Sequence, residues 1–317
     1  MKKIIQPILT AIGYYKLKAK WRWRQNLAYW QKIDAQRKAE ATAWIEAIDH
    51  RLLPEVKKSG NVTVSLTSHS KRVVDFAPFA IYSIFQQTEL PNRIVLNINQ
   101  DKWNEENLPE LIKKLMIAGL EVNFCEDVGP HTKLLPVLQK YPENIIITVD
   151  DDVYYDNELI ADLLEGYRLS KERAVVTRSA KVMSFDNKKL MPYSTWSMAN
   201  GSEQTNALYS PLGVAGVLYP PHIFPDEVFN RAVYGKLCKC ADDIWFSIQE
   251  YLNKIPVYYV KNNHWRTDGD VDHYEEYMEN GSNALHFQNA GQGQNDVQLN
   301  NLIMYYDINN DGVTLNV

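Results

Sequence analysis

The stretch N-I-I-I-T-V-D-D-D-V-Y-Y-D, residues 144–156, sets a strand-forming apolar run directly against three adjacent acids, Asp150, Asp151 and Asp152. Neighbouring carboxylates repel one another and resist desolvation, so a partner that offsets their charge is expected. On an extended strand alternate side chains share a face, which places Asp150 and Asp152 together and turns Asp151 to the other side. Carboxylates about 7 Å apart along a strand suit a hard divalent cation, Mg²⁺ or Mn²⁺, held directly or through water, with phosphate oxygens completing the shell. An exposed helix N-terminus is the alternative, because E-L-I-A-D-L-L-E-G-Y follows. A second acidic pair, Asp242 and Asp243 in C-A-D-D-I-W-F-S-I-Q-E-Y-L, opens a segment with helical apolar spacing. Adjacent carboxylates raise each other's pKa, which suits a proton acceptor, although a helix N-terminus pulls the other way. A plain N-capping pair is the competing reading.

The elements that must position these acids read as an alternating series. N-V-T-V-S-L-T-S is a strand, A-P-F-A-I-Y-S-I-F-Q-Q a helix, and R-I-V-L-N-I-N a second strand. A helix around Leu108–Ala118, a strand at Glu121–Cys125, a helix near Lys133–Lys140 and the strand Asn144–Val149 follow. The order βαβαβαβ predicts a mostly parallel, doubly wound sheet flanked by helices over about residues 60–155. Ligands of such sheets bind beyond the carboxyl ends of the strands, where T-S-H-S-K-R, E-D-V-G-P-H-T-K and D-D-D all fall. From about residue 175 the pattern becomes irregular until the segment that Asp242 opens.

The 317 residues are 45% hydrophobic and 23% charged, a composition that is neither disordered nor fibrous. The net charge of -5 is unevenly spread: residues 1–40 hold ten Lys/Arg against Asp34 and Glu40, which is +8 there and -13 in the remainder. Cys125, Cys238 and Cys240 are odd in number, and C-K-C lacks the second pair of a zinc site, so they are expected as reduced thiols in a cytoplasmic protein. No run reaches the roughly 18 apolar residues of a spanning helix. The stretch K-L-K-A-K-W-R-W-R-Q-N-L-A-Y-W mixes cations with Trp21, Trp23, Tyr29 and Trp30, as a helix at an anionic membrane surface does. Packing of those rings against their own domain is the other reading, and nothing resembles a nucleic-acid module.

The motifs taken together, V-S-L-T-S…R, P-N-R-I-V-L, G-P-H-T-K-L-L-P-V-L, T-V-D-D-D-V-Y-Y, G-V-A-G-V-L-Y-P-P and A-D-D-I-W-F, resemble those of bacterial glycosyltransferases of GT-A fold. The likeness is closest to a group linked to capsule or lipopolysaccharide sugar assembly. It covers roughly residues 60–300, which divides the chain into a basic, aromatic helical extension (1–58), a GT-A domain (59–300) and a tail (301–317). Residues 59–155 are then the nucleotide-sugar half and 156–300 the acceptor half.

The resemblance implies that Asp152 binds Mn²⁺ or Mg²⁺ directly and that Asp150 serves the metal through water or contacts the ribose. Thr67, Ser68 and Arg72 become candidates for the nucleotide of a UDP- or GDP-sugar, Lys133 for its phosphates, and Asp127 for base or ribose. Asp151 counts among the donor contacts only as the middle of the triplet. Gly213 and Gly216 fall near the transferred sugar, and Trp196 stacks on a sugar or packs in the core. His286 or His264 adds a metal ligand in some such enzymes. Asp243 is the expected base of an inverting transfer, with Asp242 its neighbour or an acceptor contact.

The implied activity moves a sugar to a hydroxyl of a glycan or lipid-linked glycan, with residues 1–40 touching the inner face of the cell membrane. A sugar-nucleotide nucleotidyltransferase would want a glycine-rich loop after the first strand, and V-S-L-T-S-H-S-K-R contains no glycine. A catalytically silent carbohydrate-binding or scaffold protein of the same fold is the remaining alternative.

Overall fold

The computed structural model describes residues 29, 31–49, 58–200, 204–260, 289 and 293–309. Helix α1 covers 31–46. The first half then runs β1 (Lys58–Thr67), α2 (Arg72–Asp75), α3 (Ala77–Phe85), β2 (Leu90–Asn99), α4 (Glu110–Ile117), β3 (Leu120–Cys125), a 3₁₀ turn (Gly129–Lys133), α5 (Leu135–Lys140) and β4 (Ile145–Thr148). After α6 (Leu159–Leu169) come β5 (Val175–Thr177), the short strands β6 to β9 between Ala180 and Met198, β10 (Gln204–Asn206), β11 (Tyr209–Pro211) and β12 (Val217–Tyr219). Helices α7 (Arg231–Leu237) and α8 (Asp242–Leu252), strand β13 (Val257–Tyr259) and helix α9 (Gln294–Tyr305) complete the described chain.

Eight strands form the central sheet in the order β10-β13-β5-β12-β4-β1-β2-β3. The pairs β1–β2, β2–β3, β1–β4 and β5–β13 are parallel, while β12 lies antiparallel between β4 and β5. This is the mixed α/β architecture with a mostly parallel, helix-flanked sheet that the strand order predicts. The antiparallel β12 is a departure: it falls in the stretch that reads as irregular from about residue 175, and the structure puts V-L-Y of G-V-A-G-V-L-Y-P-P between β4 and β5 in the sheet.

Alternation along each strand splits the core in two. Val62, Val64, Leu66, Ile147, Val176 and Leu218 pack on one side, with α3 and α6. Ile146, Val175, Val217 and Tyr219 pack on the other, with α8 and α9. The polar positions of β1 are buried too, so their hydroxyls need partners. Thr63 accepts from Asn144 at 2.9 Å, and Ser65 donates to the Lys133 carbonyl at 2.6 Å while accepting from Asn97 at 2.9 Å. That bond ties the 3₁₀ turn to the sheet and so sets where Lys133 stands.

Part of the segment expected as an extension belongs to this core. Ala41 and Ile45 of α1 are fully buried, and Trp44 meets Tyr82 and Phe85 at ring separations of 5.4 and 5.7 Å. The basic run 16–28 lies outside the described residues, as do His264 and His286. At the other end, α9 crosses the expected boundary at residue 300, and its Leu299 and Leu302 are fully buried. The helical periodicity of Q-N-D-V-Q-L-N-N-L-I-M-Y simply continues past it. Among the described residues no helix is long and apolar enough to cross a membrane.

Candidate active site

Strand β4 ends at Thr148, and the triplet lies in the turn that follows. The alternation that would pair Asp150 with Asp152 therefore does not apply, and the structure groups the acids differently. Asp151 and Asp152 share Arg72. Its Nε donates to both Asp151 oxygens at 3.2 and 3.1 Å, its Nη2 makes a further close contact with Asp151 Oδ1, and Nη2 lies 3.0 Å from Asp152 Oδ2. Asp151 thus has a charge partner, shared with Asp152, and does not point away from charge. Asp150 takes a different one: its Oδ1 accepts from Lys133 Nζ at 3.2 Å.

Lys133 brings the two halves of the chain together. Its ammonium, on a residue only 8% exposed, also lies 2.9 Å from Asp242 Oδ2 and 3.9 Å from Asp243 Oδ1. Asp242 and Asp243 occupy the first turn of α8, and the Gly213 amide donates to both Asp243 oxygens at 3.2 Å. A methyl group on Gly213 would overlap Lys133 Nζ and Asp243 Oδ1, so only glycine leaves this close approach open. Tyr155 closes the arrangement: its hydroxyl accepts from the Asp150 amide at 2.8 Å and donates to the Val214 carbonyl at 3.1 Å.

The electrostatics of the pair diverge. Burial works to raise the Asp242 pKa, but Lys133 and His131 overcome it and hold the carboxyl below its usual range. Asp243 is pushed up to about 7, first by desolvation and then by Asp242, with Lys133 acting against both. About a third of its side chain remains exposed, so it faces the open side of the cluster. Burial works to lower the Lys133 pKa, but Asp150, Asp242 and Asp243 outweigh it and hold it well above its ordinary value.

Other expected residues stand apart from this cluster. Thr67 donates to the Asn97 carbonyl at 3.0 Å, and Asp127 accepts from the Gly129 amide at 2.8 Å as a turn residue. The buried Ser68 hydroxyl has no protein partner among the described residues. Gly216 adopts φ +80°, and an added Cβ would meet Leu159 of α6 at 2.7 Å, so the position is packed closely against that helix. Trp196 is buried against Tyr193 at 5.0 Å and donates to the Met191 carbonyl at 3.0 Å, which removes it as a stacking platform. A large apolar ring with a satisfied N–H is most stable there.

Several residues were not singled out beforehand. Arg178, fully buried, lies 2.5 Å from Asp156 and 3.5 Å from Asp162, and so anchors the chain just past the triplet. A cation closing the apolar run A-V-V-T-R was the available signal. Tyr155 was visible only as part of Y-Y-D. Glu250, buried on α8 with neither carboxylate oxygen partnered among the described residues, is pushed up to about 8 by desolvation and then by Asp243. Nothing in Q-E-Y-L marks it as buried.

The fit to a divalent metal was tested on these contacts. Among the described residues no three His, Cys, Asp or Glu side chains are grouped so as to hold an ion. Asp150 is engaged by Lys133, and Asp151 and Asp152 by Arg72. As arranged, each acid of the triplet already pairs with one of the chain's own cations, and the triplet does not form a metal cage.

No protein-family model matches the chain, and no curated protein matches it. Among solved structures it is similar to residues 1–349 of TarS from S. aureus, at 16% identity and a TM-score of 0.42, over 81% of this chain and 75% of that one. The same TarS fragment in complex with UDP gives 18% identity and a TM-score of 0.41 over the same shares.

Proposed function

We propose that the protein is a nucleotide-sugar-dependent glycosyltransferase that transfers a sugar to a glycan hydroxyl in cell-surface polysaccharide assembly, with inversion. One observation carries the reading. The strand-end triplet and the acidic pair some ninety positions later meet at a single ammonium, at the carboxyl ends of β4 and β1, where open α/β sheets bind ligands.

In the proposed reaction the acceptor oxygen attacks the anomeric carbon while the bond from that carbon to the donor phosphate breaks, its electron pair leaving with the diphosphate. Asp243 takes the acceptor proton. A carboxylate with a pKa near 7 is matched to that task at neutral pH, and the Gly213 amide fixes its orientation. Arg72 and Lys133 are the cations the site presents to the departing diphosphate, in competition with the carboxylates they already pair with. No step is assigned to Mn²⁺ or Mg²⁺, which enter as an arm of the test. Residues 1–40 remain a proposed contact with an anionic membrane face, to be tested by liposome co-sedimentation with and without them.

Incubation with UDP- and GDP-sugars, with Mn²⁺ and with EDTA, is expected to release nucleotide from at least one donor. No release from any donor, together with no nucleotide binding, would remove the enzyme reading and leave a carbohydrate-binding or scaffold role. With an acceptor in hand, Asp243→Asn is expected to lower transfer by about 10²–10⁴-fold while UDP binding persists. Near-normal transfer by that variant would refute the assignment of the base.

A further inference from the structure

We propose that Lys133 is the resident cation of this site. Its ammonium occupies the point between the triplet loop and the acidic pair that a divalent ion would otherwise fill, so the wild-type carboxylate box of Asp150, Asp242 and Asp243 takes no metal. The inference rests on the glycosyltransferase reading only for what the box does with a diphosphate.

Three observations converge on it. The ammonium is buried and faces three carboxylates contributed by two distant parts of the chain, at 3.2, 2.9 and 3.9 Å. The 3.2 and 2.9 Å separations fit N–H···O bonds to a compact three-donor cation, the 3.9 Å separation is a looser ion-pair contact, and all three exceed the roughly 2.0–2.1 Å that Mg²⁺ demands. The position of the ammonium is also built in. The Ser65 hydroxyl holds the Lys133 carbonyl at 2.6 Å, and Gly213 contributes no side chain just where the ammonium lies. A lysine that merely covered the surface would need neither the buried hydroxyl below it nor the glycine above it.

Charge accounting gives the consequence. With Lys133 removed, Asp150, Asp242 and Asp243 face one another without a cation, and a divalent ion becomes the available means of relieving their repulsion. The variant should acquire a metal response that the wild type lacks. Gly213→Ala should act in the same direction with every charge retained, because the new methyl displaces the flexible end of Lys133.

The test is thermal unfolding of the full chain titrated with Mn²⁺ alone, with EDTA as the reference. The wild type is expected to keep the same Tm in both. Lys133→Gln and Gly213→Ala are expected to gain a Mn²⁺-dependent rise of about 2 °C or more, since an ion bound only by the folded state stabilises it. Adding Asp242→Asn to Lys133→Gln should cancel the rise. An equal rise in the wild type, or none in either variant, overturns the proposal. Gly213→Ala keeps the question decidable if Lys133→Gln does not fold.

UDP binding supplies a separate arm, with equal wild-type affinity expected in EDTA and in Mn²⁺. A strict Mn²⁺ requirement would also overturn the proposal. Absence of UDP binding under both conditions would count against the glycosyltransferase reading, and the Mn²⁺ titration would still decide the role of Lys133.

Discussion

Two buried cations, Lys133 and Arg178, each sit among carboxylates near the ends of central strands, and they differ in what they join. Arg178 has a fully buried side chain, and its partners Asp156 and Asp162, 12% and 30% exposed, lie close together in the chain just past the triplet. Lys133 is almost as buried, and its partners Asp150, Asp242 and Asp243, 29%, 9% and 33% exposed, come from two distant parts of the chain. The local cluster has the properties of a brace: a planar, permanently charged guanidinium tying one loop to the helix that follows it. The open cluster has a charged floor, a wet rim at Asp150 and Asp243, and a link from the strand-end loop to the first turn of α8, which is what a site acting on a polar substrate requires. Neither the burial of the cation nor the exposure of its partners separates structure from function here; the distance in the chain between the carboxylates it joins does.

The largest expected effect tests that contrast directly. Arg178→Leu leaves Asp156 and Asp162 without their buried cation and should destabilise the fold by about 3–5 kcal/mol in urea unfolding. Lys133→Gln should cost less, about 1–2 kcal/mol, because the glutamine amide still donates to the carboxylates and Asp243, with a pKa of about 7, takes up a proton readily. If Lys133→Gln proved the more damaging of the two, the open cluster would be a brace as well.

Helix α8 holds a second contrast within one element. Asp243 begins it at the open rim, and Glu250, two turns later, is buried without a partner among the described residues. Glu250 has a folded-state pKa of about 8 against an ordinary value of 4.5, so it keeps a proton on folding that the unfolded chain gives up. Its contribution to stability is fully present below about pH 4.5 and is lost as the pH rises towards 8. Glu250→Gln should remove this slope and raise stability at pH 8 relative to pH 5 by roughly 2–4 kcal/mol, measured by urea unfolding at both values. An unchanged slope would show that Glu250 is not the buried acid responsible.

The sequence displayed the β1–β4 series and the acids opening α8 because both rest on local periodicity. V-T-V-S-L alternates, and I-W-F-S-I-Q-E-Y-L carries helical spacing. It did not display which cation serves which acid. Strand alternation governs side-chain direction only while the backbone stays extended, and β4 stops at Thr148, two residues before Asp150. The direction of β12 was hidden for a related reason: V-L-Y has the same pattern whether it runs up or down the sheet. Lys133 was visible as a cation near a strand end, but its partners Asp242 and Asp243 are more than a hundred positions away, and no spacing rule joins them. Arg178 and Glu250 were hidden because a charged residue at the end of an apolar run reads as the onset of solvent until burial is known.

The smallest expected effect falls within the triplet itself. Asp151 is 5% exposed and bonds Arg72 through both oxygens, which would ordinarily mark a costly position. Asp151→Asn nevertheless keeps one acceptor oxygen for the guanidinium, and Arg72 retains Asp152 at 3.0 Å, so no charge is left buried alone. The expected loss is about 1 kcal/mol, close to that of one hydrogen bond. UDP binding should be nearly unchanged, because Arg72 keeps its charge and its contact with Asp152, and Lys133, Asp150 and the α8 pair do not depend on Asp151. The same tolerance would follow from strand alternation for a different reason, namely that Asp151 points away from the site. Arg72→Gln separates the two explanations: it should cost more than Asp151→Asn if the guanidinium neutralises two acids, and no more if Asp151 stands apart. Were Asp151→Asn to cost as much as Arg178→Leu, the triplet would belong with the Arg178 brace, and the boundary between the two kinds of cluster would have to run through Lys133 alone.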